Sequence, residues 1–307
     1  MSPMRIAACA LTEQSMRKLI ATTALAVVMV GALAAGALQF GKAQAADNVP
    51  LIGAGYAGGA NVVAIPIDDP AAKAIAGALF KPAGAGPFPV VVYMPQSLGL
   101  TSPKESPMQK LEMALEKNVI DHLTAKGVAT FIVDPFTARS EPAGVSGQIG
   151  LSRENFAKYA SRGAADVLAA VNVIKATPDV DANRVFLQGY DYGAGATLYA
   201  VDASAPVKRD PNMKIAGVIA YYPFCYDKMD PTVPTLVMIG DKDDWASAEA
   251  CQTAAKDKPN VEVVVYPDKK HGFAMPGAVG RYGWLYDENA AADSTQRADA
   301  FMAAHMK

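Results

Sequence analysis

The sequence predicts an α/β fold in which a mostly parallel central sheet is covered by helices on both faces. From about residue 90 onward, short apolar runs typical of buried strands alternate with segments whose apolar residues recur at helical spacing. No shift in composition divides this region into two parts. We therefore predict a single α/β domain over residues 61–307.

The first elements are predicted to form a hairpin at the edge of the sheet. Residues 61–66 and 75–81 have strand character and are separated by Asp68-Asp69-Pro70, which favours a turn. A turn rich in Pro and Gly follows and leads into residues 90–94. This run is apolar throughout, which is typical of a buried parallel strand.

Helices and strands are then predicted to alternate to the end of the chain. Helices are predicted over residues 111–123 and 164–174, whose apolar residues recur at helical spacing, and near residues 295–304. Strands are predicted at residues 129–133, 185–188, 216–222, 236–239 and 261–266. Because active sites on such sheets lie at the carboxyl ends of the strands, the residues that directly follow each strand are the candidates for chemistry.

A secretory signal peptide is predicted at the N-terminus. Arg17 and Lys18 precede an almost unbroken apolar run over residues 19–38. Ala43-Gln44-Ala45 then supplies small residues at the spacing that signal peptidase accepts. We predict cleavage before Ala46 and a periplasmic or secreted mature protein.

The boundaries of this N-terminal region carry two further expectations. The predicted signal peptide spans residues 1–45, although Met16 is a better start than Met1 because two basic residues follow it. The alternative is an uncleaved membrane anchor, since the apolar run approaches the roughly 20 residues that span a bilayer. Residues 46–60 are rich in Gly and Ala and are predicted to be a flexible lead-in.

The charge balance and the motif content narrow the class of partner. The 307 residues include 28 Lys and Arg against 30 Asp and Glu, a formal net charge of −2, so nucleic acid is not an expected partner. We find neither metal-ligand spacing nor a dinucleotide motif in a convincing context, so no metal or cofactor is predicted. A small-molecule substrate is the expected partner, with no membrane contact after signal cleavage, and the oligomeric state stays open.

Two of the three cysteines are predicted to form a disulfide. Cys9 lies in the segment expected to be removed, which leaves Cys225 and Cys251 in the mature chain. An even pair of cysteines in an exported protein favours a disulfide, and two buried free thiols are the alternative.

Residues 184–196 have the pattern of a nucleophile elbow, a strand that turns sharply into a helix. The short apolar run at 185–188 is followed by Gly189-Tyr190-Asp191-Tyr192-Gly193 and then by small residues. Glycines two positions before and after the central residue are needed because a side chain on so tight a turn leaves no room for a Cβ on either flank. The central residue is Asp191, at the position where acyl-transfer enzymes have serine or cysteine.

Two further strand ends supply an acid and a histidine. Gly240-Asp241-Lys242-Asp243-Asp244-Trp245 follows the strand at 236–239, and His271-Gly272-Phe273 follows the strand at 261–266. Elbow residue, acid and histidine occur in the chain order of an α/β-hydrolase triad. The sequence therefore predicts a site that contains Asp191, His271 and an acid from the 240–245 loop.

These motifs, taken in order, resemble the dienelactone hydrolase family of α/β-hydrolases. Besides the elbow, the resemblance rests on Phe80-Lys81-Pro82, Pro89-Val90-Val91-Val92, Val133-Asp134-Pro135-Phe136 with Arg139, Asp181-Ala182-Asn183-Arg184-Val185, Tyr222-Pro223-Phe224-Cys225, Gly240 to Trp245 with Cys251, and His271-Gly272-Phe273. It implies that Asp243 orients His271, with Asp244 as the neighbouring alternative. It also implies a nucleophile at position 191 and activity on esters or lactones.

The sequence departs from the family pattern at both parts of the acyl-transfer apparatus. The nucleophile position holds Asp191, and the loop after the first central strand reads Pro95-Gln96-Ser97-Leu98-Gly99. In the family this loop donates one backbone N–H to the oxyanion hole, and the residue after the nucleophile, here Tyr192, donates the other. Proline has no N–H, which leaves Gln96 or Ser97 as the donor from the loop.

An aspartate at the elbow favours displacement at carbon. Attack on an ester carbonyl would give a mixed anhydride of high energy, whereas attack on an sp3 carbon gives an alkyl ester that His271 and water can hydrolyse. Haloalkane dehalogenases and epoxide hydrolases are similar in using Asp, acid and His on this fold. Tyr192, Trp245 and Gln96 are candidate donors to the leaving group by position.

Two other roles for Asp191 stay open, as does the role of one arginine. Asp191 is also suited to act as a base toward water, or to form an ion pair with His271 in a hydrolase fold that only binds ligands. Arg139 is a candidate to bind a substrate carboxylate at the mouth of the site. The alternative for Arg139 is an ion pair with Asp134 that holds its loop.

Overall fold

An eight-stranded sheet lies at the centre of the computed structural model, which describes residues 61–100, 107–141, 144–145, 153–276, 278, 280 and 283–306. The predicted signal peptide, residues 1–45, and the lead-in, residues 46–60, lie outside the described residues. The strands are β1 (Asn61–Asp69), β2 (Ala72–Phe80), β3 (Phe88–Met94), β4 (Ala129–Asp134), β5 (Val180–Tyr190), β6 (Gly217–Tyr221), β7 (Thr235–Gly240) and β8 (Val261–Tyr266). The helices of the same part of the chain are α1 (Pro107–Ala125), a 3₁₀ turn (Thr137–Arg139), α2 (Arg153–Ile174), α3 (Tyr192–Val201), α4 (Ala248–Ala255) and α5 (Glu288–His305).

The strand order is β1-β2-β4-β3-β5-β6-β7-β8. Strand β2 pairs antiparallel with β1 and β4, and the other five strand pairs are parallel. The predicted edge hairpin and the mostly parallel sheet are therefore confirmed, and with them the α/β fold class.

Strand β5 is longer than the sequence predicts. It begins at Val180, which pairs with Phe88 of β3, whereas the prediction started at Val185. The added part includes Asp181 and Arg184 and is partly exposed. An apolar run marks only the buried part of a strand, so the prediction ended where the burial ends.

The register of the parallel strands brings their carboxyl ends to one edge of the sheet. Met94, the last residue of β3, lies opposite Gly189 of β5, and Gly240 of β7 lies opposite Tyr266 at the end of β8. The residues that follow β3, β5, β7 and β8 therefore meet at this edge. It is the edge at which the predicted site residues lie.

Helix α3 holds the end of β5 in the core. All of its residues are buried, as a helix of small and apolar side chains requires. Small residues let it approach α2 closely, because a Cβ added at Gly195 would lie 2.8 Å from the ring of Phe156. The start of α3 is thus fixed by packing as well as by the turn before it.

A disulfide joins two segments next to the carboxyl edge of the sheet. Cys225, four residues after β6, is bonded to Cys251 of α4, with a Cα–Cα distance of 5.0 Å. The predicted pairing is therefore confirmed. Among the described residues, no helix has both the length and the apolar character that a membrane span needs.

We expect removal of this disulfide to lower the free energy of unfolding by about 3 kcal/mol, because the bond closes a loop between residues 26 positions apart. Urea denaturation of the wild type and of the Cys225→Ala/Cys251→Ala double variant measures the difference. A reductant should lower the midpoint of the wild type and leave that of the double variant unchanged. A wild-type midpoint that does not respond to the reductant would contradict the prediction.

Candidate active site

Asp191 lies on a tight bend between β5 and α3. Its φ of 51° and ψ of −113° are uncommon for a residue with a Cβ and cost on the order of 1–3 kcal/mol. A Cβ added at Gly189 would lie 2.2 Å from the carbonyl carbon of Gly193, and one added at Gly193 would lie 2.2 Å from the carbonyl oxygen of Met94. The prediction that the flanking glycines leave no room for a side chain is confirmed.

The two carboxylate oxygens of Asp191 have different partners. Oδ2 accepts hydrogen bonds from the backbone N–H of Ser97, at 3.1 Å, and from the Ser97 hydroxyl. Oδ1 lies 3.6 Å from Nε2 of His271, which is ion-pair contact but longer than a hydrogen bond. One oxygen is therefore bound by fixed donors, and the other faces the imidazole across a gap.

Asp243 holds the opposite side of the imidazole. Its Oδ2 lies 2.8 Å and its Oδ1 3.0 Å from Nδ1 of His271. Oδ1 also accepts the backbone N–H groups of Trp245 and Ala246, each at 2.8 Å, so the carboxylate is fixed by its own loop. The hydrogen bond to Nδ1 leaves Nε2 directed at Asp191.

Asp244, the neighbouring alternative, does not contact His271. It is exposed, and its Oδ2 binds Nζ of Lys270 at 2.8 Å. Of the two acids that the sequence left open, Asp243 is the one beside the imidazole.

Burial and charge together set the protonation of the site. Burial alone would lower the pKa of His271, but the carboxylates of Asp191 and Asp243 raise it to about 9. Burial would likewise raise the pKa of Asp191, yet His271 and the two Ser97 donors bring it below its ordinary value. At neutral pH the site therefore holds an imidazolium between two carboxylates, and Oδ1 of Asp191 lies 3.6 Å from Nε2 of that imidazolium.

Aromatic rings surround the imidazole. The ring centroids of Tyr222, Trp284 and Trp245 lie 4.7, 5.0 and 5.8 Å from that of His271. Trp284 also belongs to a small buried apolar cluster with Met275. The wall beside the catalytic candidates is thus aromatic and apolar, which suits a substrate with an apolar group.

Gln96 is buried next to the elbow with part of its carboxamide unsatisfied. Its Nε2 donates to the thioether sulfur of Met275 at 3.5 Å, a weak acceptor. Its Oε1 has no hydrogen-bond partner among the described residues. A buried amide in this state has the capacity to bind a substrate.

The structure corrects the position expected for Arg139. Its side chain is buried, and its guanidinium binds both carboxylate oxygens of Asp166 at 2.8 Å, Oδ2 of Asp69 at 2.8 Å and the carbonyl of Pro135 at 2.6 Å. These contacts leave it unavailable for a substrate carboxylate.

The alternative role for Arg139 is also wrong. Asp134 does not pair with it but accepts the backbone N–H groups of Phe136 and Thr137, each at 3.0 Å. The arginine therefore joins the edge hairpin to α2 and has a structural role.

The side chain of Tyr192 also lies away from the expected position. Its hydroxyl would be 2.5 Å from a Cβ added at Gly163 of α2, and its ring centroid lies 5.2 Å from that of Phe136, with the two rings tilted by 43°. The side chain leaves the first turn of α3 toward α2, so its hydroxyl is not available to a leaving group at Asp191. Only the backbone N–H of Tyr192 remains a candidate donor, and it would donate to the oxyanion hole.

Sequence reasoning does not place three groups in this site: the Ser97 hydroxyl, the Tyr222 ring and Trp284. Tyr222 is buried in the core and its ring also lies next to His271. It directly follows β6, which is the available signal. Trp284 follows no strand, so its place near His271 had no local signal.

One described cavity lies away from these residues. A space of about 460 Å³ lies between α1 and α5, bordered by Gln188, Tyr190 and Tyr221. Neither Asp191 nor His271 lines it, so we do not assign the chemistry to it. No group of three or more His, Cys, Asp or Glu side chains in the described part of the chain is arranged to hold a metal ion.

We expect His271 to titrate near pH 9 in the resting protein and at lower pH in the Asp191→Asn variant, because the variant lacks one of the two carboxylates that favour the imidazolium. NMR of the labelled imidazoles measures both values. By linkage, the stability from protonated His271 is complete below the ordinary value of 6.5 and is lost as the pH rises through about 9. A wild-type midpoint at or below 6.5 would refute this assignment.

Comparison with known proteins identifies the family of this chain. The model of the dienelactone hydrolase family matches residues 75–306. A search of curated proteins found no match.

Solved structures with the same fold include a dienelactone hydrolase-like promiscuous phosphotriesterase from metagenomic libraries, with a TM-score of 0.62 at 18% identity over 81% of this chain and 100% of that one. A putative dienelactone hydrolase from Klebsiella pneumoniae has a TM-score of 0.57 at 19% identity over 80% and 98% of the two chains. A thermophilic esterase from Thermogutta terrifontis has a TM-score of 0.54 at 16% identity over 81% and 95%. At these identities the structures establish the fold alone, whereas the family match covers most of the sequence. The chain belongs to the dienelactone hydrolase family and is a hydrolase.

Proposed function

We propose that this hydrolase cleaves a small alkyl substrate, a halide or an epoxide, through a covalent ester on Asp191. The observation that carries the proposal is that the two oxygens of the Asp191 carboxylate have different partners. Oδ2 is bound by two Ser97 donors, while Oδ1 keeps its lone pairs for attack and lies 3.6 Å from His271. A carboxylate so oriented is suited to displacement at an sp3 carbon.

In the first step, Oδ1 of Asp191 forms a bond to the substrate carbon, and the bond from that carbon to the leaving group breaks. The leaving group departs on the far side of the carbon from Oδ1. It therefore needs donors other than His271, which lies beside Oδ1. A halide leaves as an anion, and an epoxide oxygen stays attached to the substrate as an alkoxide, which takes its proton from solvent.

Three side chains are proposed as donors to the leaving group: Gln96, Trp245 and Trp284. Nε1 of Trp284 is buried without a hydrogen-bond partner among the described residues, and its ring lies 5.0 Å from that of His271. The Gln96 amide donates only to a thioether sulfur, so binding a leaving group would cost it only a weak hydrogen bond. Trp245 is proposed because its ring lies 5.8 Å from His271.

In the second step, water attacks Cγ of the Asp191 ester with His271 as the general base. Esterification removes the charge of Asp191, which is one of the two causes of the raised pKa of His271. The pKa therefore falls once the ester has formed, and the imidazolium releases its proton to solvent. The neutral imidazole can then accept a proton from the attacking water. Asp243 continues to orient it.

A small ester or lactone is the second candidate substrate, and membership of the dienelactone hydrolase family favours it. In that case Asp191 would activate water for direct attack on the substrate carbonyl. The two candidates can be distinguished by the fate of the water oxygen, which enters Asp191 in the covalent mechanism and the product in direct attack by water.

A single turnover in heavy-oxygen water is expected to place the label in the peptide that contains Asp191, because water attacks Cγ and not the substrate. The active compound is first chosen from a panel of 1-bromohexane, 1,2-epoxyhexane, p-nitrophenyl butyrate and γ-butyrolactone. Mass spectrometry of the digested enzyme and of the product then locates the label.

Asp191→Asn should abolish turnover, whereas Asp244→Asn, an adjacent exposed acid outside the site, should leave it within about twofold. Label in the product alone would support direct attack by water. Absence of turnover across the panel would count against both candidate substrates.

We also propose that the mature protein is exported and begins at Ala46. The Cys225–Cys251 disulfide supports this, because such bonds persist in oxidising compartments. Intact mass of protein recovered from the periplasm under alkylating conditions is expected to match a chain starting at Ala46 with no alkylated thiol. A mass that includes residues 1–45 would contradict cleavage, and two alkylated cysteines would contradict the oxidised state.

A further inference from the structure

We propose that Ser97 supplies two donors to the oxyanion site in the second half of the reaction, through its hydroxyl as well as its backbone N–H. The inference rests on the proposed function, since it concerns hydrolysis of the Asp191 ester. Both Ser97 donors bind the same oxygen, Oδ2 of Asp191, in the resting structure. Sequence reasoning assigned at most the backbone N–H of this residue to the site.

The two halves of the reaction place opposite demands on Oδ2. During alkylation the negative charge leaves the carboxylate, so donors at Oδ2 do not favour that step. When water attacks Cγ, the electron pair of the Cγ–Oδ2 double bond moves onto Oδ2, and its negative charge grows. Donors at Oδ2 then stabilise the transition state more than the ester, which is the condition for catalysis.

The atoms balance over this second half. The water oxygen bonds to Cγ, and one of its protons goes to Nε2 of His271. The tetrahedral intermediate collapses by restoring the double bond to an oxygen of Asp191, and the bond from Cγ to Oδ1 breaks. The proton on His271 goes to Oδ1, which leaves with the alkyl group as an alcohol. The second proton of the water passes from the new carboxyl oxygen to Nε2 of His271, which restores the resting carboxylate and imidazolium.

The backbone around Ser97 is held in place before any substrate binds. The Ser97 carbonyl accepts the N–H of Val145 at 2.6 Å, and the Gln96 carbonyl accepts the N–H of Gly99 at 3.2 Å. A Cβ added at Gly144 would lie 2.1 Å from the Ser97 carbonyl oxygen, so the approach of this second segment requires glycine. Ser97 is itself buried, which strengthens its hydrogen bonds. These donors are therefore fixed before charge develops.

A hydroxyl that only positioned the Asp191 side chain would affect both halves of the reaction. A hydroxyl that binds the developing oxyanion affects only the second. The Ser97→Ala variant separates the two roles because it removes the hydroxyl and keeps the N–H. Ser97→Thr keeps both donors and is the matched control.

The test follows the covalent adduct by rapid quench and intact mass spectrometry, with 1-bromohexane and 1,2-epoxyhexane as probes. In Ser97→Ala we expect the adduct to form within a few-fold of the wild-type rate and to decay roughly 100- to 1,000-fold more slowly, so that it accumulates. Ser97→Thr should restore decay. Thermal unfolding of each variant verifies that it is folded.

Adduct decay at the wild-type rate in Ser97→Ala would overturn the inference and leave the proposed function intact. An equal slowing of formation and decay would also overturn it and would assign the hydroxyl a positioning role. If neither probe forms an adduct in any of the proteins, the proposed covalent ester fails and this inference fails with it.

Discussion

The imidazolium of His271 is buried between two carboxylates, and the surrounding loops are built to tolerate that concentration of charge. Two backbone N–H groups from its own loop bind Asp243, and two donors from Ser97 bind Asp191. Without them, three ionised groups in a site with a Trp and Tyr wall would be costly, because burial opposes every charge. The three charged groups stabilise one another, and removing any one of them leaves another charge unpaired.

An aspartate at the elbow has different requirements from a serine or cysteine. A neutral nucleophile leaves the oxyanion donors free until substrate arrives, whereas a carboxylate brings its own second oxygen and needs donors for it at once. The Ser97 contacts meet this need in the resting state. The two departures from the family pattern, at the elbow and in the loop after β3, are therefore linked, because the loop supplies the donors that the carboxylate at the elbow needs. This correspondence favours a working site over a remnant.

The sequence was sufficient for the parts of the site that depend on local pattern. Strand, bend and helix around Asp191 follow from an apolar run and two glycines, and the convergence with His271 follows from parallel strands in register. Contacts between distant segments were not accessible in this way. Arg139 binds Asp69 and Asp166, which are 70 and 27 positions away, and nothing near it in the chain marks either partner. Trp284 reaches the site from a loop with no strand before it, for the same reason.

The protonation of the resting site bears on whether Asp191 acts as a nucleophile or as a base toward water. With its pKa raised to about 9, His271 is a poor base at neutral pH, so it cannot activate water before Asp191 changes. Asp191 itself is a weak base, because its pKa lies below the ordinary value for a carboxyl group. In the proposed mechanism, attack by Asp191 on carbon needs no base, and the ester would remove the charge that keeps His271 protonated. Water would then be activated only after the covalent bond has formed. The electrostatics of the site therefore favour the order of a nucleophilic mechanism over direct attack by water.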